Sequence, residues 1–137
     1  MTRRTPADVE LARRLLALEG VGAAAAVQVY ARLAARLEPL IGVAGMRALL
    51  ARSAKLAAAE LPRFAVLAFE TTASGAACEQ QLQECFEGEE GEELVAAAAA
   101  LYGTLLGLLM SFIGEHLVWQ VVRGAFPAVE SEKETES

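Results

Sequence analysis

Residues that usually carry chemistry are scarce in this sequence, which has one histidine and two cysteines among its 137 residues. Cys78 and Cys85 are seven positions apart, which is roughly 10 Å along a helix and beyond the reach of a disulfide. We therefore expect two free thiols in a reducing cytoplasm. The glycine-rich patterns of phosphate and dinucleotide sites, GxxxxGK followed by Ser or Thr and GxGxxG, are also missing. These gaps predict a protein that is not an enzyme and carries no cofactor.

His116 is the only histidine, and two functions have to be weighed for it. Histidine phosphotransfer domains are helical bundles of similar length whose motif places a lysine three residues after the histidine, followed by a glycine. Trp119 stands at that lysine position here, so the similarity is confined to the fold class. A haem ligand is the other functional interpretation. We favour a surface histidine on a helix and keep a histidine phosphocarrier as a third hypothesis.

Serines and glutamates form no pattern that indicates a site. Ser53, Ser74 and Ser111 have no base at a suitable offset to make a nucleophile. The glutamates between residues 87 and 93 lack the Asp-rich, glycine-pivoted spacing of a calcium loop. We expect a solvated, acidic linker there and no metal site.

Strand signals are missing too, because no run of Val, Ile and Thr alternates with polar residues at a period of two. Ala, Leu, Glu and Arg dominate, while Gly and Pro fall mainly at breaks. This composition predicts an all-α fold, and the length corresponds to a single domain. Apolar positions and capping signals place helices over residues 5–19, 23–38, 43–60, 75–86 and 94–113, with a final amphipathic segment over 115–126. Residues 63–70 stay open between helix and extended chain, with helix favoured.

Basic residues are scarce in the second half of the chain. Residues 1–63 carry ten Lys or Arg and five Asp or Glu, a net charge of +5, and residues 64–137 carry two and thirteen, a net charge of −11. The overall charge of −6 argues against nucleic acid as a partner. We expect the asymmetry to attract one half of the chain to the other, or to steer a partner.

One stretch has no charge at all, the twenty residues from Leu94 to Ile113. In a helix it would span roughly 30 Å, enough to cross a bilayer. Its alanine run and its acidic flanks favour a helix buried in the core of a soluble bundle. Its small residues recur at intervals of three or four residues and so share one face of the helix. We expect Gly103, Gly107 and Ser111 to allow close helix packing there.

The sequence therefore predicts a single bundle of five or six helices around a buried apolar central helix at about residues 94–113. The bundle domain covers residues 1–127, and a disordered acidic tail covers 128–137. Within helix 43–60 we expect Arg47, Arg52 and Lys55 to face solvent. Five candidates for an interface stand out because aromatic residues and their polar neighbours often anchor interfaces: Tyr30, Trp119, Gln120, Arg123 and Phe126.

The function predicted from these features is protein–protein interaction, as a cytoplasmic signalling adaptor or regulator that binds a protein partner or a second copy of itself. The apolar content of 55% exceeds the usual 45–50% and is consistent with an interface. Membrane association through helix 94–113, in the layout of pore-forming or apoptosis-regulating bundles, is the less favoured alternative. The bias toward Ala, Arg and Gly suggests a bacterial source.

Overall fold

A computed structural model describes residues 6–62, 64 and 75–129 of the chain. These residues form helices and short connections, with no strand among them. The α-helices are α1 (Pro6–Glu19), α2 (Ala23–Ile41), α3 (Val43–Ala57), α4 (Gly75–Phe86), α5 (Gly91–Ile113) and α6 (Glu115–Ala125). The prediction of an all-α bundle of five or six helices is confirmed. Most of the segment 63–70, which the sequence leaves open between helix and extended chain, lies outside the described residues.

Helix α5 is the centre of the bundle, as the uncharged stretch predicts. It packs against each of the other five helices, and most extensively against α1. Every residue from Leu94 to Leu109 is buried except Val95 and Ala96. The helix starts at Gly91, three residues earlier than predicted, because Glu92 and Glu93 form its first turn, where negative charge stabilises the helix dipole.

Two predicted helix ends differ from the structure. Helix α2 continues through Pro39 to Ile41 instead of ending at Glu38. The hydrogen bond that Pro39 cannot donate would have gone to Ala35, and Ala35 is exposed, so water can bind its carbonyl. Helix α3 ends at Ala57 instead of continuing to residue 60. Residues 58–60 form a tighter turn, in which the amides of Ala59 and Glu60 donate to carbonyls three residues earlier.

The chain breaks sharply at Gly114, where two separate helices meet. Gly114 has φ 93° and ψ 149°, a backbone conformation that only glycine adopts readily. Helix α6 therefore leaves α5 at an angle instead of continuing it. After α6, residues 127–129 are helical again and Val129 is fully buried. Val129 therefore packs into the core two residues beyond the predicted boundary at 127, and the division into a bundle domain and a tail stays a prediction. Residues 130–137 lie outside the described part.

Arg47 is buried in the core, although its position in α3 predicted a solvent-facing side chain. Its guanidinium donates hydrogen bonds to the hydroxyl of Tyr30 at 3.2 Å and to a carboxylate oxygen of Glu38 at 3.2 Å. These partners on α2 compensate the loss of hydration that makes buried arginine costly. Arg52 and Lys55 are exposed, as predicted.

Candidate functional site

Helices α1 and α5 run antiparallel and lie very close together near Gly103. Val9 packs directly over Gly103, so that a Cβ atom added there would lie 3.2 Å from the Cα of Val9. Further along, Arg13 pairs with Glu92 at 2.7 Å and joins the basic first half of the chain to the acidic second half. The absence of a side chain at Gly103 therefore allows α1 to lie this close to α5.

A groove opens beyond Gly103, between the start of α1, the end of α5 and the start of α6. Its volume is about 450 Å³, within the 300–1,000 Å³ of ligand pockets. It is lined by Ala7, Asp8, Leu11, Gly107, Met110, Ser111, Glu115 and Trp119, and we call it the Trp119 groove.

The apolar part of the Trp119 groove is formed by Leu11, Gly107, Met110 and Trp119. Leu11 and Gly107 are buried, whereas Met110 and Trp119 are half-buried. Of the remaining lining residues, Ala7, Ser111 and Glu115 are exposed, whereas the acidic Asp8 is buried. The groove is thus an open trough in which a buried acidic side chain borders the apolar surface.

Trp119 is partly exposed, as its position off the apolar face of α6 predicts. The guanidinium of Arg123 lies 5.9 Å from the centre of its ring, within range of a cation–π interaction. The side-chain nitrogen Nε2 of Gln120 lies 3.2 Å from Nε2 of His116, and both residues are exposed. Gln120 and Arg123 flank Trp119 on α6 without lining the groove, and their role at the rim of a binding patch stays a prediction.

Tyr30 and Phe126, the other two interface candidates, are core residues. They are 1% and 5% exposed, so neither offers a side chain to a partner in this structure. Burial raises the pKa of Tyr30 from 10.0 to about 12, partly offset by the nearby charge of Arg47. Phe126 and Val129, which both follow α6, belong to the same buried core.

The small residues of α5 have different environments along its length. Gly103 is in close contact with α1, whereas Gly107 is buried and lines the Trp119 groove. Ser111 is exposed, so the expectation of close packing is wrong at that position. The two helices enclose the groove at this end instead of meeting.

Buried polar groups on α3, α4 and α5 serve the core. Cys78 is fully buried beside Arg47, and burial raises the pKa of its thiol. Tyr102 donates a hydrogen bond of 2.6 Å to the carbonyl of Ala26, and its burial raises its pKa well above 10.0. Both cysteines are free, as expected. The described residues contain no cluster of three His, Cys, Asp or Glu side chains that could hold a metal.

Sequence reasoning missed Phe112, which lies within the stretch from Leu94 to Ile113 that the sequence predicts to be buried in the core. Phe112 is 66% exposed, because it lies in the last turn of α5, one residue before the helix ends at Ile113. The sequence contained a signal for this exposure, since Gly114, where the helix breaks, follows Phe112 by two residues. An apolar residue at the end of a central helix extends past the helices that cover its middle.

A second, smaller cavity of about 240 Å³ lies at the opposite end of α5, beside the Gly20–Gly22 turn, and it falls below the usual range for ligand pockets. Leu16, Ala26, Leu94 and Ala98 contribute to its walls. Of the two cavities, the Trp119 groove is the stronger candidate. No known protein family, curated protein or solved structure matches this chain.

Proposed function

We propose that this chain is a non-enzymatic interaction protein, an adaptor or regulator, which docks a protein partner in the Trp119 groove. The observation that carries the proposal is the half-buried Trp119 in the wall of an open cavity. Tryptophan is enriched among the residues that contribute most to binding at interfaces. A partly exposed tryptophan beside an open apolar cavity can contribute such binding when a partner covers it.

The shape of the groove favours a side chain on a protein surface over a free small molecule. Pockets for small molecules enclose most of the ligand, whereas Ala7, Ser111 and Glu115 are exposed along this groove. An apolar centre surrounded by polar, solvent-accessible residues is the usual anatomy of a protein–protein interface.

Site-specific photo-cross-linking in the cells that make the protein tests this function. A benzophenone amino acid at Ser111, on the rim of the groove, should give discrete protein adducts. The same amino acid at Lys55, which is exposed on α3 outside the groove, serves as the control. We expect Trp119→Ala to remove the adducts at position 111. Adducts of the same masses from both positions, unchanged by Trp119→Ala, would contradict the proposal.

Membrane association is the second candidate, and one observation favours it. Helix α5, with 23 residues, is long and apolar enough to cross a bilayer, although 78% of its most apolar window is buried inside the bundle. Insertion would require α5 to leave all five helices that surround it. Under the proposed function the protein works in the cytoplasm and stays unbound in flotation with anionic vesicles. Flotation with the vesicles would favour the membrane alternative.

A further inference from the structure

Two acidic side chains line the Trp119 groove, and they come from different helices. Asp8 belongs to the first turn of α1, and Glu115 belongs to the first turn of α6. The described lining residues include no Lys or Arg. The walls of the groove therefore carry net negative charge, which favours a cationic occupant over a neutral or anionic one.

Asp8 lines the groove although only 6% of its surface is exposed. Burying a carboxylate is costly unless nearby groups compensate for the lost water, and the dipole of α1 compensates part of this cost in the first turn. Each carboxylate oxygen has more than one acceptor site, so Asp8 can accept from a ligand in addition to its contacts within the chain. Because little water reaches it, its attraction to a positive charge is stronger than at an open surface.

The apolar residues of the groove suit the rest of a long cationic side chain. The ring of Trp119 can hold a cation against its face, and it already lies 5.9 Å from the guanidinium of Arg123, which does not line the groove. Leu11 and Met110 offer apolar surface. The methylene groups of Lys or Arg pack on such a surface while the charged end reaches a polar partner.

A guanidinium fits this combination better than an ammonium group does. It is planar, it stacks on aromatic rings, and its fork of N–H donors matches the two oxygens of a carboxylate. Trp119 is the only aromatic residue among the described lining residues, whereas quaternary ammonium groups are selected by cages of several rings. Arginine is also among the residues that contribute most to binding at protein interfaces.

We propose that the partner in the Trp119 groove is a basic protein segment that inserts an arginine side chain, with its guanidinium against the carboxylate of Asp8 and the ring of Trp119. Glu115, which is exposed on the groove wall, attracts the basic segment to this site. The inference rests on the proposed function and names the chemistry of the partner for the same groove. The net charge of −6 steers such a segment toward the protein from a distance.

Nuclear magnetic resonance of the whole chain tests the guanidinium contact. Trp119 is the only tryptophan, so its indole N–H gives a single signal that reports on the groove. The probe is N-acetyl-arginine amide, and its control is N-acetyl-citrulline amide, which has nearly the same shape and no charge. We expect a saturable shift of the indole signal with the arginine probe alone. Equal shifts with both probes, or no shift with either, would overturn the inference.

Salt distinguishes a charged contact from an apolar one. Screening weakens the attraction between opposite charges, whereas apolar burial does not depend on it. We therefore expect added sodium chloride to raise the Kd of the arginine probe. Binding that is unchanged or strengthened by salt would show that the carboxylates do not hold the probe, and it would overturn the inference.

Asp8→Asn and Glu10→Gln form a matched pair of variants. Each removes one negative charge from α1 and nearly keeps the shape of the side chain, but Glu10 is exposed and does not line the groove. We expect Asp8→Asn to raise the Kd of the arginine probe about tenfold, equivalent to about 1.4 kcal/mol. Glu10→Gln should change it by less than about twofold, as is usual for an exposed charge. Equal effects of the two variants would overturn the inference.

Glu115→Gln keeps the inference testable if circular dichroism shows that Asp8→Asn does not fold. Glu115 is exposed, so its replacement should leave the helix signal unchanged. We expect the Kd of the arginine probe to rise about threefold, on the scale of an exposed ion pair, and to respond less to added salt than in the wild-type protein. A Kd and a salt response equal to those of Glu10→Gln would overturn the inference.

Photo-cross-linking from Ser111 separates this inference from the proposed function. In cells, Asp8→Asn should reduce the protein adducts at position 111 as Trp119→Ala does, and Glu10→Gln should leave them unchanged. Adducts that require Trp119 but not Asp8 would overturn the arginine contact and leave the proposed function standing. Binding of the arginine probe without any protein adduct would overturn the protein source of the cation, and the proposed function with it.

Discussion

Replacing Gly103 with alanine adds one methyl group where α1 lies against the backbone of α5. The new Cβ atom would be 3.1 Å from Cγ2, 3.2 Å from Cα and 3.3 Å from the nitrogen of Val9. Two of these three atoms belong to the backbone, so no side-chain rotation can relieve the contact. Helix α1 must shift as a unit, and its interface with α5 is the most extensive in the bundle.

The expected effect of Gly103→Ala is the difference between two opposing contributions. Extra methyl groups in a packed core typically cost about 1–3 kcal/mol. Alanine in place of glycine within a helix contributes about 0.5–1 kcal/mol in the opposite direction. We expect a net loss of about 1 kcal/mol, which lowers the melting temperature by roughly 4 °C in a domain of this size.

Gly45→Ala is the matched control, because a Cβ atom there would meet only the side chain of Ile41 at an ordinary 3.5 Å. It should leave the protein unchanged or stabilise it by up to about 1 kcal/mol. Urea unfolding followed by circular dichroism at 222 nm measures both variants. If Gly103→Ala is as stable as Gly45→Ala, α1 does not pack as closely on α5 as the structure indicates.

Three further predictions concern the buried polar groups and His116. Arg47→Ala should destabilise the fold by about 3 kcal/mol, the low end for breaking a buried ion pair, because Glu38 is partly exposed; urea unfolding measures this, and a loss below 1 kcal/mol would contradict it. Burial raises the pKa of Tyr30 to about 12, so the folded state holds this proton more tightly than the unfolded state does. The resulting contribution to the free energy of unfolding, about 3 kcal/mol, is fully present below pH 10 and is lost as the pH rises through 12. Tyrosinate absorbance at 295 nm should therefore appear together with the loss of helix signal, and ionisation in the folded state near pH 10 would refute this. His116→Ala should leave stability, adducts and bound species unchanged, and a phosphoryl group or haem lost on substitution would show that His116 is functional.

The local pattern of the sequence was sufficient to locate the helices. Helix α4 has the predicted bounds, and α1 ends at Glu19 before the first glycine turn, as expected. These features depend on residues three or four apart, on capping, and on glycine at positive φ. For the same reason the uncharged stretch identified α5 as the central helix without any knowledge of its neighbours.

Side chains whose environment depends on another helix were harder to assign. Arg47 has a polar side chain at a position that local periodicity assigns to solvent, and only the presence of Tyr30 and Glu38 on α2 makes its burial favourable. Conversely, Phe112 belongs to an apolar helix but extends beyond its covering neighbours. Periodicity describes one helix at a time and contains no information about what lies opposite.

The fold class, the central position of α5 and the partial exposure of Trp119 could be predicted, because each follows from the order of residues along one helix. The burial of Tyr30 and Phe126, the exposure of Ser111 and the existence of the groove depend instead on contacts between helices. That groove brings Leu11 of α1 together with Met110 of α5 and Trp119 of α6. The physical reason is that a cavity depends on how three helices cross, and the crossing is set by packing between residues far apart in the chain.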